Sequence, residues 1–395
     1  MKKRLQALSS YLLPVRSLNP RVQFAGGEFT YIDIGGVDRG RREVIGKRVL
    51  RAEDAPSRAR HLVQVGDVLV STVRPNLNTV ALVGDDHNGA IASTGFCVLR
   101  ADPGLLDHRF LFHWVSTQAV VERLAKFATG ATYPAVTDSI IKSLEVKLPS
   151  LAEQRQFASI LDRAEELRCK REKAIRLAND LIRATFVEIF GDPVTNPRAW
   201  DDTARLESVA EVISGITKGR KLDTVSTREV PYLSVSNVQD RYLDLSFVKR
   251  IAATEAEIHR YRLQENDLLL TEGGDPDKLG RGTLWRGEIS ECIHQNHVFR
   301  VRLTSPRLHP VYLNWLVGSP RGKQYFLAAA KQTTGIASIN MRQLKSFPLL
   351  IPPLDIQLHF VSIVEKVSRM IERQQSALQG IEQAIRGLGS KLLLD

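Results

Sequence analysis

The sequence predicts an α+β protein written twice: two tandem, pseudo-symmetric globular parts separated by two long helices that pair antiparallel as a coiled coil. Three observations predict it. Short motifs recur about 200 residues apart, two forty-residue stretches share one heptad register, and the excess positive charge is confined to the globular parts.

The recurrence is ordered. Residues 231–238 (PYLSVSNV) answer 30–37 (TYIDIGGV) at an offset of 201, and 264–271 (QENDLLLT) answer 64–71 (QVGDVLVS) at 200. Tyr312-Leu313 answers Phe110-Leu111 at 202, and 352–357 answers 149–154 at 203. Drifting offsets are what short loop insertions leave behind. A period this long means whole domains in tandem and excludes a solenoid, whose units are several-fold shorter.

The first globular part, 1–150, opens with alternating apolar runs between turn residues. Strands are expected at 29–34, 68–70, 80–83 and 96–99, with a basic loop at 38–51 and a hairpin loop at 71–78. Phe110, Leu111, Trp114, Val115, Val121 and Leu124 recur at helical spacing, which predicts one helical run over 107–127. Both Trp114 and Trp315 lie on apolar helical runs and are read as core.

The first long helix, 151–191, starts at a capping box formed by Ser150 and Glu153 and stops at Gly191 before Pro193. Its expected seam is Phe157, Leu161, Ala164, Ile175, Ala178, Ile182 and Ile189, interrupted by Arg168, Arg171 and Thr185. The second globular part, 192–353, repeats the order of the first. The second long helix, 354–395, carries Phe360, Val364, Val367, Ile371, Gln374, Leu378, Ile381, Ile385, Leu388 and Leu392, the same register displaced by 203 residues. A matched pair of this length favours mutual packing. Connectivity then requires the two helices to be antiparallel, and at 1.5 Å per residue each is about 60 Å long.

The chain's net charge is +11. Residues 1–150 hold 20 basic and 14 acidic side chains, and 193–353 hold 22 and 17, whereas the helical stretches are balanced. The globular parts, not the helices, are therefore expected to face a polyanion. No apolar run approaches the roughly 18 residues a membrane span needs, and Lys2, Lys3 and Arg4 lack a following signal-type core, so no membrane and a cytoplasmic location are expected. Cys97, Cys169 and Cys292 are too scattered for a disulfide framework and are expected to be buried or semi-exposed thiols.

Enzyme motifs are missing. The stretch 215–221 (GITKGRK) has the composition but not the spacing of a phosphate loop. Asn19-Pro20, Asp192-Pro193 and Asn196-Pro197 each lack the second proline expected of an amino-methyltransferase, and Pro352-Pro353 follows Ile351. Pro276-Asp277 with Glu288 lacks the lysine of a nuclease carboxylate set, and Cys292, His294 and His297 have no partner cluster for a metal. No catalytic residue and no metal site is predicted.

What recurs is a set of basic and amide-rich loops. Arg39, Arg41, Arg42, Lys47 and Arg48 form one, followed by Arg74, Asn76 and Asn78 in the hairpin loop, with Thr132 and Tyr133 of the turn at 130–134. In the second part Lys218, Arg220, Lys221, Asn237, Gln239, Lys278 and Arg281 occupy comparable loops. Arg and Lys suit phosphate, while Arg, Asn and Gln can also read base edges bidentately.

With these motifs in place, the chain resembles the specificity subunit of Type I restriction-modification systems. The resemblance rests on 66–71 (GDVLVS), 92–96 (ASTGF), 130–136 (GATYPAV), 148–154 (LPSLAEQ), 190–193 (FGDP), 340–345 (NMRQLK) and 352–354 (PPL), and it covers nearly the whole chain. It implies two target recognition domains that each read half of a split sequence in double-stranded DNA. It implies also that two methyltransferase subunits dock on the spacer helices and that restriction subunits join them. This chain would bind no cofactor itself, since S-adenosylmethionine, ATP and Mg would belong to the partners. One departure stands out: Ile356 replaces Glu153 at the repeat position, and the first seam is more polar, so the two docking surfaces are expected to differ. A stand-alone DNA-binding regulator is the alternative reading.

Overall fold

In the computed structural model, residues 5–220, 226–275, 278–333 and 336–394 are described. The chain forms two compact units, Met1–Ile175 with Arg373–Asp395, and Arg176–Glu372. Each unit is one globular head together with part of each long helix.

In the first unit, a four-stranded sheet has Glu28–Ile32 (β1) antiparallel to Arg48–Arg51 (β2) and parallel to Ile91–Ser93, which in turn lies antiparallel to Ala59–Leu62. In a second sheet Val68–Ser71 (β3) lies between Val80–Leu82 (β4) and Phe96–Ala101 (β5), antiparallel to both. Strand β1 stops two residues earlier than its apolar run implies. There the Asp33 carboxylate accepts the backbone N–H of Gly36 at 3.0 Å and folds the next residues into a 3-10 turn.

The single helical run expected over 107–127 is two helices, His108–Val115 (α1) and Gln118–Phe127 (α2). The break follows from residue chemistry. Ser116 Oγ and Thr117 Oγ1 donate to the carbonyls of Phe112 and Trp114 at 2.7 and 2.8 Å, which competes with helix continuation. At the start of α1, Asp107 caps the N–H groups of Arg109 and Phe110 at 3.0 Å.

The second unit repeats this plan. Val298 pairs with Thr271 and Phe299 with Leu270, as Phe96 pairs with Ser71 and Cys97 with Val70. Tyr232 faces Ile293 in a parallel pair, as Tyr31 faces Ile91. Pro310–Val317 (α4) and Pro320–Ala329 (α5) again form a broken pair. The same buried ion pair anchors each hairpin. Asp67 accepts the Gln64 N–H at 2.8 Å and two bonds from Arg100 at 2.8 and 2.7 Å, while Asp267 accepts from Gln264 at 2.7 Å and twice from Arg302 at 2.7 Å.

The first long helix, Leu151–Phe190 (α3), begins with the predicted capping box: Glu153 accepts the Ser150 N–H at 2.7 Å, and Ser150 Oγ accepts the Glu153 N–H at 3.3 Å. Past its end Gly191 adopts a left-handed φ of 79°, and its N–H reaches the Val187 carbonyl at 2.8 Å. Leu354–Leu394 (α6) is the second long helix. Each helix is tied to its own head by a buried glutamine. Gln154 accepts the Asp107 N–H and donates to the Leu105 and Pro149 carbonyls, and Gln357 does the same with His309, Arg307 and Pro352.

The helices pair antiparallel. In the first unit Phe157 and Leu161 share a core with Ile385 and Leu388. In the second, Ile182 shares one with Phe360 and Val364, and Ile189, Val367 and Ile371 pack against it. Two aromatic residues outside the expected seam complete that core. Phe186 and Phe190 place their ring centroids 5.5 and 5.4 Å from Phe360. The seam position Leu392 lies in a segment whose side chains are not described. Arg171, which interrupts the first seam, donates to Gln374 at 2.6 Å.

Candidate nucleic-acid interface

In each unit the hairpin loop is held against the loop that returns from the broken helix pair. Val73 bridges Ala135, which also bridges Thr129. In the second unit the same contacts grow into short strands in which Ser338 pairs with both Gly273 and Lys331. Glycine is required at 273, because a Cβ there would stand 2.9 Å from the Ala337 carbonyl oxygen.

This juxtaposition builds an exposed surface on the first head. Arg74, on a left-handed backbone with φ 49°, lays its guanidinium 4.8 Å over the ring of Tyr133. Its Nη2 also donates to the Thr132 carbonyl at 3.4 Å. Tyr133 is 66% exposed, and Asn76 is exposed two residues from Arg74 on the hairpin loop. A planar cation stacked on an aromatic face, with an amide alongside, is suited to phosphate contact and base-edge hydrogen bonding.

The other predicted residues fall into two groups. Arg39 and Arg41 are exposed. Lys47 and Arg48 are exposed too, facing Asp86 at 3.3 Å and Asp33 at 2.5 Å, and Arg48 also lies over Tyr31. Lys218 lies 5.3 Å from the ring of Tyr232. Gln239, Arg281 and Lys278 are joined to neighbours: Arg281 donates to Gln239 at 2.9 Å, and Lys278 pairs with Asp275.

Three residues instead organise the protein itself. Asn237 is 3% exposed; its oxygen accepts from the Ser234 N–H and hydroxyl, and its amide donates to the Asp244 and Phe247 carbonyls. Arg220 forms a two-bond pair with Glu257 at 2.6 and 2.9 Å, holding that carboxyl down at about 2. Asn78 donates to the Ser116 carbonyl at 2.9 Å. Lys221 and the Pro276-Asp277 pair lie outside the described residues.

A further cluster joins the first head to α3, and it takes in Arg42, which was expected in the DNA-facing loop and instead turns to an acidic residue of the helix. Asp162 receives His113 Nε2 at 2.7 Å and pairs with Arg109, and Arg42 reaches Glu165 at 3.7 Å. Arg168 donates to the Gly40 carbonyl at 2.7 Å and to Glu165 and Glu172. Burial pushes His113 down to about 4 and also lowers Arg42. Asp162 and Glu165, one turn apart on the helix, were the available signal; their partners lie up to 123 residues away in sequence.

Cys97 and Cys292 are buried and Cys169 is partly exposed. His294 is fully buried, its Nδ1 bonded to the Val298 carbonyl at 2.7 Å. Among the described residues there is no cluster of His, Cys, Asp and Glu that could hold a metal, and no helix is long and apolar enough to cross a membrane.

Duplicated heads bearing cationic loops and joined through paired helices define a DNA-reading scaffold class of protein. The chain belongs to the family described as Type I restriction modification DNA specificity domain, which it matches over residues 58–177 and 197–383. It is 22% identical over 315 residues to the Type I restriction enzyme EcoKI specificity subunit of Escherichia coli, covering 76% of this chain and 67% of that protein. It is 24% identical over 198 residues to the putative type I restriction enzyme MjaX specificity subunit of Methanocaldococcus jannaschii, covering 50% and 46%. The chain thus spans between about half and two-thirds of the length of these relatives. A solved chain described under the complex assembly and conformational transition of the type I R-M system shares the fold, with a TM-score of 0.60 over 98% of this chain and 97% of that one at 22% identity. Family membership makes this chain a DNA-specificity component, not a catalyst.

Proposed function

We propose that the chain reads a DNA target in two separate patches, one per head, and carries the methyltransferase and restriction subunits of a Type I restriction-modification complex. The observation that carries this is the duplication of the hairpin and return loop, each copy with its own cations, on a paired-helix frame. One recognition surface used twice is what a split target demands.

Docking of two methyltransferase subunits is supported by the outer faces of the helices. On α3, Ile160, Leu167, Leu177 and Leu181 are 42–58% exposed, and on α6 Leu358 and Met370 are 48% and 44% exposed. Ile160, Leu167 and Leu181 keep seven-residue multiples and so repeat one face of a helix. Exposed apolar residues in register mark a surface for protein partners. S-adenosylmethionine, ATP and Mg are assigned to those partners, and the work is placed in the cytoplasm with the DNA.

The test is a footprint of the chain with its methyltransferase on DNA, expected to show two protected patches and an unread gap. Inserting seven residues into both long helices should shift the preferred gap. A gap that is indifferent to helix length would sink the reading. Equal affinity with and without the methyltransferase would favour a stand-alone regulator.

A further inference from the structure

The second unit contains a cavity of about 430 Å³ where four segments meet. Helix α3 contributes Arg183, the connection between the paired strands Arg228–Leu233 and Lys249–Ala253 contributes Asp240 and Arg241, the hairpin loop Lys278 and Arg281, and the start of α5 Lys323. Five cations and one carboxylate are among the described lining residues; outside the lining, Asp180 lies 3.6 Å from Arg183 and Asp275 pairs with Lys278.

Arg241 is set with particular care. Its backbone is left-handed, with φ 64°, and its guanidinium lies 3.8 Å over the ring of Trp315. A Cβ at Gly318 would stand 3.0 Å from its Nη2, so the small residue leaves room for it. Burial disfavours its charge, and its carboxylate neighbour Asp240 lies 3.5 Å away and is 54% exposed. The Nε atoms of Arg241 and Arg281 are both enclosed and make no hydrogen bond among the described residues. Enclosing cations with so little internal compensation is unfavourable unless an anion completes the site.

The first unit does not repeat this arrangement. Its hairpin loop, 72–79, is two residues shorter than 272–281, and Asn78 is tied to the Ser116 carbonyl. At the repeat positions His113 stands for Trp315 and Val121 for Lys323. The excess charge is a property of the second unit and not of the shared scaffold.

We propose that this cavity seats a backbone phosphate of DNA, gripped by Arg183, Arg241, Arg281 and Lys323. Three guanidinium forks and an ammonium suit the oxygens of a phosphate ester, and the Trp315 ring under Arg241 shields that one guanidinium from solvent. The inference rests on the DNA-reading function above and adds a helix residue, Arg183, to the DNA contact.

The test uses the full chain with its methyltransferase and the paired substitution Arg183→Gln with Lys323→Gln, both at exposed positions. Duplex affinity is measured across a salt series. The slope of log affinity against log salt is expected to fall by about 0.9, the share of one phosphate that the chain no longer neutralises, with binding weakened about tenfold at physiological salt. Lys173→Gln with Arg176→Gln, which removes equal charge from the helix away from the cavity, should leave the slope unchanged. Equal slopes for the two variants would overturn the cavity assignment. In a second arm adenosine monophosphate is titrated without DNA; saturable binding abolished in the paired variant, with an unchanged duplex slope, would transfer the site to a free nucleotide and overturn the DNA assignment. Failure of the unaltered complex to bind any duplex would instead overturn the DNA-reading function itself.

Discussion

The two joints between head and helix have the same anchors and opposite chemistry. In both units a buried glutamine bonds three backbone groups at the start of a long helix, and a buried aspartate–arginine pair holds the hairpin. Beyond these anchors the joints diverge. The second packs Phe186, Phe190, Tyr312, Trp315 and Phe360 ring against ring, whereas the first sets His113, Arg109, Arg42 and Arg168 against acidic residues of α3. At the repeat positions Trp315 replaces His113 and Ile371 replaces Arg168. What is shared holds backbone groups that every copy of the fold must satisfy; what differs is side-chain packing, which can be apolar or ionic as long as each is internally complete.

The comparison can be broken most forcefully at the aromatic joint. Phe190→Ala should cost the second unit about 3–5 kcal/mol, because it removes a ring that is 2% exposed and packed against Tyr312 and Phe360. Denaturant unfolding followed by probes in each unit should show the second transition moving to lower denaturant. Equal loss in both units would mean the joints are not separate.

The ionic joint is sharpened by pH. His113 in the folded protein titrates at about 4, below the ordinary value of about 6.5, so the unfolded chain binds more protons between those limits. Stability from the neutral ring is therefore present above about 6.5 and is lost as pH falls toward 4. His113→Phe should flatten this dependence in the first unit, as read by melting temperature against pH. An unchanged profile would show that the ring is not the titrating group.

The smallest expected effect is at Arg171. Removing its bond to Gln374 with Arg171→Ala should cost about 1 kcal/mol, and a double-mutant cycle with Gln374→Ala should return a coupling of similar size.

Much of the fold was legible because its signals are periodic or terminal. The repeats at offsets of 200–203, the Ser150–Glu153 box and the Gly191 cap each state a local rule that the structure obeys. The break between α1 and α2 was legible only in hindsight, since Ser116 and Thr117 read as ordinary helix surface until their hydroxyls are seen to bond backward. The site was less legible, for a different reason. Arg74 and Arg220 look alike in sequence, yet one is stacked in the open and the other is locked to a carboxylate 37 residues away. Asn237 resembles a base reader but fills the inside of its own turn. Arg183 carried no signal because its helix is electrically balanced as a whole, and an average conceals which face a charge occupies.

The bond between Arg171 and Gln374 joins two positions that correspond to each other in the repeat, 203 residues apart. Such a position meets its own counterpart. Two identical copies of the half-sequence would have set arginine against arginine there, a like-charge contact inside a helix pair, or glutamine against glutamine, which is neutral and self-complementary. The present mixed pair is available only where the two halves carry different residues at this position, so a single polypeptide that holds both halves can place a donor on one and an acceptor on the other.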